Sequence, residues 1–439
     1  MLHFRKVYKP GHPRKIMNRE ELYSILFEQQ KDFEEENPTI PREMTQKAIK
    51  LVSLEMPLVI TGIRRCGKSF LLKIIKDELE LKDREYFYIN FNDDRLVKFE
   101  VEDFQKIIDF INEQNYKEKC FLFIDEIQEV SGWEKWIDRI KNKYKIFITG
   151  SNSRLLSSEI ATILTGRSIR LSLTPLNFRE FLQANNKVIK NWKLDLKEQS
   201  IIRKELKFFI EIGGIPKRVI TGQDIVIKEL YEDIFYKDII KRFAKLDKQI
   251  KEIALFFFSN PSSLISLRAI SKMSQLKNIA TVKSILEAFE SSFLFFFINK
   301  FDYSVKTQIQ NPRKVYCMDN GFLVNMGFRM SEDKGKLLEN LIAIELKRRE
   351  KEMFYYSDKY ECDFVIREAN KIKEAIQVTY ELNEKNKERE IAGLIEALNK
   401  FKLKEGLIIT FDQEDKIKFG GKIIKLLPAW KWLLEEKKD

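Results

Sequence analysis

The sequence predicts an α/β protein built around a parallel sheet covered by helices, and three observations carry that prediction. Apolar runs at 57–61, 86–91, 120–124 and 145–149 alternate with amphipathic stretches. The alternation of short strand-like runs with helix-like stretches argues for parallel pairing with helices over the sheet. After a mostly helical middle, residues 335–439 return to mixed strand and helix patterns.

The chain has 439 residues, enough for two to four domains at roughly 100–200 residues each. Hydrophobic residues make up 44%, and 34 Phe make the predicted cores aromatic. The net charge of +12 favours polyanionic partners such as nucleic acid or an anionic membrane surface. Cys66, Cys120, Cys317 and Cys362 show no CxxC spacing, which argues against a zinc site or a disulfide scaffold. His3 and His12 are the two histidines, so a histidine-based triad deeper in the chain is excluded. The basic first fifteen residues lack an apolar h-region, and the longest apolar runs fall far short of the roughly 20 residues of a membrane span. A cytoplasmic protein with no membrane partner is the expectation.

Five segments follow along the chain. Residues 1–45 form a proline-punctuated leading segment with a helix at 19–36. Residues 46–182 hold the alternating pattern, with helices at 70–79 and 101–111. Residues 183–255 read as a helical lid broken by Gly213-Gly214-Ile215-Pro216. Residues 256–330 carry helices at 267–275 and 279–289, then strands at 294–301 and 313–318, the order of a winged helix. Residues 331–439 form the last α/β unit.

Between the first strand and its helix lies Gly62-Ile63-Arg64-Arg65-Cys66-Gly67-Lys68-Ser69, a match to G-x-x-x-x-G-K-[ST]. Glycines at 62 and 67 let backbone N–H groups turn inward around phosphate oxygens. A helix starting near Lys68 points its positive end at the same anion. Lys68 is suited to the β- and γ-phosphates of ATP, and Ser69 to Mg²⁺. The expected ATP-binding set is Gly62, Ile63, Arg64, Arg65, Cys66, Gly67, Lys68, Ser69 and Phe70. The apolar run at 120–124 ends in Asp125 and Glu126. Asp125 is expected to help Ser69 hold Mg²⁺, and Glu126 to orient and deprotonate the attacking water. The strand at 145–149 ends in Ser151 and Asn152, either of which suits a bond to the γ-phosphate or the water.

The segments VITGIRRCGKS, FLFIDEIQ, FITGSNS and LTGRSIRLSLTPLNFREFL, in this order and spacing, resemble a widespread prokaryotic family of AAA+ P-loop ATPases. Members join the ATPase to a C-terminal region of unknown function with a winged helix and a PD-(D/E)xK, restriction-endonuclease-like fold. The resemblance spans about residues 40–430 and is strongest over 57–182. It implies that Asp125 and Glu126 are the Walker B pair, and that Asn152 is the sensor-1 residue. It also implies that Asn90 is a polar switch restraining Glu126. Arg167, with Arg170 as rival, resembles an arginine finger that reaches a neighbouring subunit, which implies a ring or other oligomer. Lys217 or Arg218 stands where a sensor-2 residue would.

In the winged-helix segment the candidate recognition helix offers Lys277, Asn278, Thr281, Lys283 and Ser284. Lys306, Arg313 and Lys314 fall on the expected wing. In the nuclease-like segment, Glu339 and Asp363 match the family pattern, but Gln377 takes the Glu place and Thr379 the Lys place. Gln is a poor metal ligand and Thr carries no charge, so efficient DNA cleavage is not expected. Two readings follow. One is an ATP-driven, oligomeric machine acting on duplex or branched DNA with a degenerate nuclease-like domain. The other is a nucleotide-controlled signalling or defence switch acting on a protein.

Overall fold

The computed structural model describes residues 17–37, 39–152, 168–187, 189, 192–243, 245–328 and 333–435. The first unit contains α1 (Arg19–Glu35), α2 (Met44–Leu51), β1 (Leu58–Thr61), α3 (Lys68–Glu78), β2 (Tyr86–Asn90) and α4 (Phe104–Glu113). It continues with β3 (Phe121–Asp125), α5 (Trp133–Ile140), β4 (Lys145–Gly150) and β5 (Ile169–Ser172). Its five strands form an all-parallel sheet in the order β2-β3-β4-β1-β5. The central strands are apolar end to end because helices cover both faces. Parallel register sets Asn90 beside Asp125 and Thr61 beside Gly150, so the strands end together at one edge. Ligand-binding loops gather at that edge in open α/β sheets. The strand β5 was not predicted, since Ile169-Arg170-Leu171-Ser172 buries only Leu171 and is too short to show a period.

The leading helix belongs to this layer. The side-chain amide of Gln29 pairs with the Asn90 backbone in both directions, at 3.1 and 2.9 Å. Gln30 Oε1 accepts from Tyr88 N at 3.0 Å. The outer edge of β2 is therefore closed by side chains of α1. Phe33 stacks on Tyr88 with centroids 4.0 Å apart, anchoring the same helix on the sheet.

The helical middle contains α6 (Phe178–Ala184), α7 (Leu196–Ile212), α8 (Pro216–Thr221), α9 (Ile225–Asp233), a π-helix (Ile234–Ile239) and α10 (Asp247–Ser259). Next come β6 (Leu264–Ile265), α11 (Leu267–Met273), α12 (Ile279–Ser291), β7 (Phe295–Asn299), α13 (Val305–Gln310), β8 (Arg313–Cys317) and α14 (Asn320–Met326). The three strands pair antiparallel in the order β6-β8-β7, with α11 and α12 between β6 and β7. The unpredicted α13 stands where a plain wing loop was expected.

The last unit contains α15 (Lys334–Arg348), β9 (Glu352–Ser357), β10 (Glu361–Glu368), β11 (Lys371–Val378) and α16 (Lys387–Lys400). It closes with β12 (Glu405–Thr410), β13 (Asp415–Phe419), β14 (Lys422–Pro428) and α17 (Ala429–Leu434). Its mixed six-stranded sheet runs β13-β14-β12-β11-β10-β9. Phe301 N donates to Tyr355 O at 2.7 Å, so the end of β7 is stitched to β9.

Gly213 and Gly214 join α7 to α8 at a crowded crossing. Leu176 N donates to Gly214 O at 2.7 Å, and a Cβ on Gly214 would lie 2.2 Å from Leu176 O. Gly214→Ala should therefore lower the thermal midpoint, by an amount equivalent to about 1–3 kcal/mol of overpacking. Gly335→Ala is the control: it sits in the first turn of α15 with its nearest neighbour atom at 3.7 Å. That change should leave the midpoint unchanged or raise it.

Candidate functional site

The loop from Gly62 to Gly67 leaves β1 and enters α3. A Cβ on Gly62 would meet Leu173 O at 2.1 Å, so the loop can pass there only as glycine. Gly67 has φ +96° and Arg65 φ +60°, the left-handed turns that fold the loop back on itself. Beneath it lies Arg42, fully inside the protein. Its guanidinium donates to Cys66 O and Thr174 O at 2.7 Å and to Glu180 Oε1 at 3.1 Å. Cys66 is buried beside Leu173 O, and burial pushes its thiol up, so it is a packing residue.

Lys68 is buried, with Nζ 3.2 Å from Gly62 O, 3.3 Å from Ile63 O and 3.3 Å from Glu126 Oε1. Asp125 is fully buried at the end of β3. Its Oδ2 accepts from Ser69 Oγ at 2.5 Å and from Tyr88 OH at 3.2 Å, and Oδ1 accepts from Thr149 Oγ1. Burial, together with the adjacent Glu126 charge, raises its carboxyl above the usual range. Glu126 sits one residue on, at φ +51°. Burial works against its charge, but Lys68, Gln128 and Arg64 outweigh that and hold the carboxyl well below its ordinary range. Two neighbouring carboxylates thus meet opposite environments, which is the pattern that separates roles in catalytic sites.

Asn90 does not take the expected switch position. Its Oδ1 accepts from Asn92 N at 2.9 Å, turning the chain after β2, while its backbone is held by Gln29. Glu126 is instead gripped by Gln128 Nε2 and by Ser151 N at 3.1 Å. Gln128 was in plain view in the motif IDEIQ, two residues past the acid. Tyr88 and Thr149 were hidden, because only strand register brings them to Asp125. Asn152 follows Ser151, half-buried at the same sheet edge. Arg167 lies outside the described residues, and Arg170 is exposed on β5. Arg64 and Arg65 are directed at Asp238 and Asp233 of the helical middle.

A cavity of about 500 Å³ opens beside Lys68 and Ser69. Its walls include Ile40, Leu176, Pro216, Lys217 and Ile220. Lys217 therefore faces the site, whereas Arg218 turns inward to Ile212 O and Asp224 and does not.

The last unit brings Glu339 and Asp363 together, but around Lys314, a residue expected on the wing. Lys314 Nζ lies 3.1 Å from Glu339 Oε1, 2.9 Å from Asp363 Oδ1 and 2.8 Å from Glu361 Oε1. Its side chain is only 2% exposed. In a strand the side chains alternate, and in β8 position 314 faces α15 and β10 rather than solvent. Gln377 joins the cluster indirectly: Oε1 accepts from Asp363 N at 3.2 Å and Nε2 donates to Glu390 at 2.6 Å. Thr379 Oγ1 donates to Glu381 O and accepts from Asn386 Nδ2, both at 3.2 Å, and so is engaged outside the cluster.

Fold and loop together give the first unit a P-loop α/β architecture. A model of the AAA domain matches residues 55–182. Domains of unknown function match residues 203–333 (DUF8612) and 334–432 (DUF4143). The chain is 37% identical over 409 residues to uncharacterized protein MJ1544 of Methanocaldococcus jannaschii, covering 88% of this chain and 90% of the relative. It belongs to the same family as MJ1544. An uncharacterized protein of Haemophilus influenzae is 29% identical over 406 residues, 89% of this chain and 97% of the relative. Among solved structures, the Walker-type ATPase paby2304 of Pyrococcus abyssi aligns with a TM-score of 0.43 and 16% identity, over 67% of this chain and 99% of that one.

Two outcomes test these sites. Lys68→Ala should abolish binding of a fluorescent ATP analogue, and unchanged binding refutes the phosphate role. Lys314→Met should destabilise the fold by about 3–5 kcal/mol in a denaturation series, because it leaves buried carboxylates without their counter-charge.

Proposed function

We propose that the chain binds ATP at residues 62–70 and hydrolyses it, and that hydrolysis serves work on DNA. One observation carries the first part: Lys68, Ser69, Asp125 and Glu126 converge at the mouth of a single glycine-bounded loop. The backbone N–H groups of the loop and Lys68 suit the β- and γ-phosphates. Ile40, Leu176, Pro216 and Ile220 offer apolar walls for a base, and Lys217 a cation beside it. Glu126, kept ionised and held by Gln128 and Ser151, suits the general base that activates water, with Asn152 next to it as sensor 1. The hydroxyl of Ser69 and the carboxylate of Asp125 are hard oxygen donors side by side, and they would hold Mg²⁺, which supplies charge neutralisation at the phosphates. Arg167, or Arg170, is the proposed finger offered to a neighbouring subunit of a ring or other oligomer.

The DNA reading rests on the module from β6 to β8. Lys277, Asn278, Lys283 and Ser284 are exposed on and just before α12, with Arg268 and Lys272 exposed on α11. Basic and small polar side chains at a helix start suit a groove of duplex or branched DNA. The strand–helix–helix–strand order of β6, α11, α12 and β7, with β8 returning after α13, supports a winged-helix reading. Cleavage is left out of the proposal. The Lys314 ammonium neutralises the carboxylates that a metal would need, and Gln377 and Thr379 bring no charge. The protein-switch reading is favoured by one observation. Where a basic wing was expected, Tyr303, Val305 and Ile309 stand out around α13 at 75%, 66% and 75% exposure.

Turnover of ATP measured with duplex, single-stranded and branched DNA separates the readings. Stimulation, with affinity falling steeply as salt rises, is the expected result. If no DNA form binds at low salt or alters turnover, the DNA reading is wrong. Glu126→Gln should bind ATP and hydrolyse it on the order of 10²–10⁴-fold more slowly. Mixing Arg167→Ala with a Lys68→Ala subunit should restore or poison activity if the finger acts between subunits; simply additive rates refute that.

A further inference from the structure

Arg64 and Arg65 lie inside the phosphate-binding loop, yet both are engaged by one helical segment far along the chain. Arg64 holds Asp238 with two bonds, Nε to Oδ2 at 2.6 Å and Nη2 to Oδ1 at 3.0 Å. The side chains are 13% and 7% exposed, so this fork-on-fork pair is largely out of water. Arg65 reaches Asp233 and, at 3.6 Å, Glu229.

The segment carrying these acids changes its winding between them. The helix α9 ends at Asp233, and the π-helix follows as Ile234–Ile239. In an α-helix, residues five apart are about 140° apart around the axis, which would point Asp233 and Asp238 in different directions. An i→i+5 turn brings such residues into near register. Both acids can therefore face the loop together. A π-turn is rare compared with α-helix and is found frequently at functional sites.

The opposite side of this segment is packed. Ile234, Phe235 and Ile239 are buried in the main core together with Val282, Ile285 and Phe289 of α12. Just beyond it, Arg242 donates to Ser291 Oγ at 2.8 Å, at the last residue of α12. One short element thus touches the phosphate-binding loop on one side and α12 on the other.

We propose that Arg64 is the charge that senses the terminal phosphate, that Asp238 is its positioning residue, and that the π-helix couples the nucleotide site to α12. The proposal rests on the ATP-binding reading above. Arg64 stands in the loop proposed to wrap the phosphates, and its charge also bears on Glu126, which brings a cation to the side of the site where Lys68 and Glu126 meet. Any shift of Arg64 on binding triphosphate pulls on Asp238, and the π-helix transmits that shift because its other face is packed against α12. Such coupling requires different contacts for the two nucleotides, and Arg64 supplies the difference.

The full chain tests this with ADP and a non-hydrolysable ATP analogue. Affinities are measured by calorimetry, and hydrogen exchange is followed at the amides of 279–291. The triphosphate analogue is expected to change exchange in α12, while ADP does not. Asp238→Asn should remove that difference and weaken the analogue about tenfold relative to ADP, the scale of one charge-assisted bond. Asp238→Glu, which keeps a carboxylate, should restore part of the response. Retained ADP binding by both variants reports that the loop is folded. If α12 exchanges alike with both nucleotides, or if Asp238→Asn keeps the full response, the coupling is refuted although nucleotide binding stands. If the unaltered chain binds neither nucleotide, the ATP reading falls and this proposal falls with it.

Discussion

One buried guanidinium ties the glycine-bounded loop at 62–67 to the chain leaving β5 and to α6. Arg42 donates to the backbone of the loop at Cys66, to the chain leaving β5 at Thr174, and to Glu180 in α6. Glu180 in turn completes the capping box of α6 with Asn177 and accepts from Glu43 N at 2.8 Å. A charge this deep is tolerable because each of its three nitrogens donates a hydrogen bond and a carboxylate is paired with it. Without it, two buried carbonyls lose a donor and Glu180 lies in the core with no counter-charge. Loop, sheet and lid would then lose their common fixed point.

From that fixed point the chemistry follows from strand register. Parallel pairing sets Asp125, Thr149 and Tyr88 at one edge, and α3 delivers Ser69 to the same place. The left-handed turn at Glu126 separates two consecutive acids that would otherwise share one environment. Asp125 ends in a nest of hydroxyl donors, Glu126 beside a buried ammonium. The difference between them is produced by backbone direction, not by residue type.

Much of this was legible in the sequence because it is local. Strands buried on both faces announce themselves as unbroken apolar runs, and the loop glycines stand at fixed spacing from Lys68. The features that escaped prediction are those made by pairs distant along the chain. Nothing near Arg42 in NPTIPREMTQ marks it as interior, since its partners are 24, 132 and 138 residues away. Lys314 sat in a basic stretch that suggested a wing; strand alternation turned it inward, onto acids from α15 and β10. Asn90 looked like a switch by position, but the two-residue turn after β2 claimed its side chain. The segment after α9 reads as ordinary helix, because a π-turn depends on what its side chains meet.

The amides of Gln29 and Gln30 have a consequence for assembly. An edge strand normally offers a row of unpaired backbone groups to any passing strand. In β2 those groups at Tyr88 and Asn90 are already answered by side chains that mimic a neighbouring strand. The sheet cannot be extended there without peeling α1 away, together with Phe33 and its aromatic neighbours. Copies of this chain that meet at this edge must therefore do so through α1 and the loops beside it, not by pairing a strand onto β2.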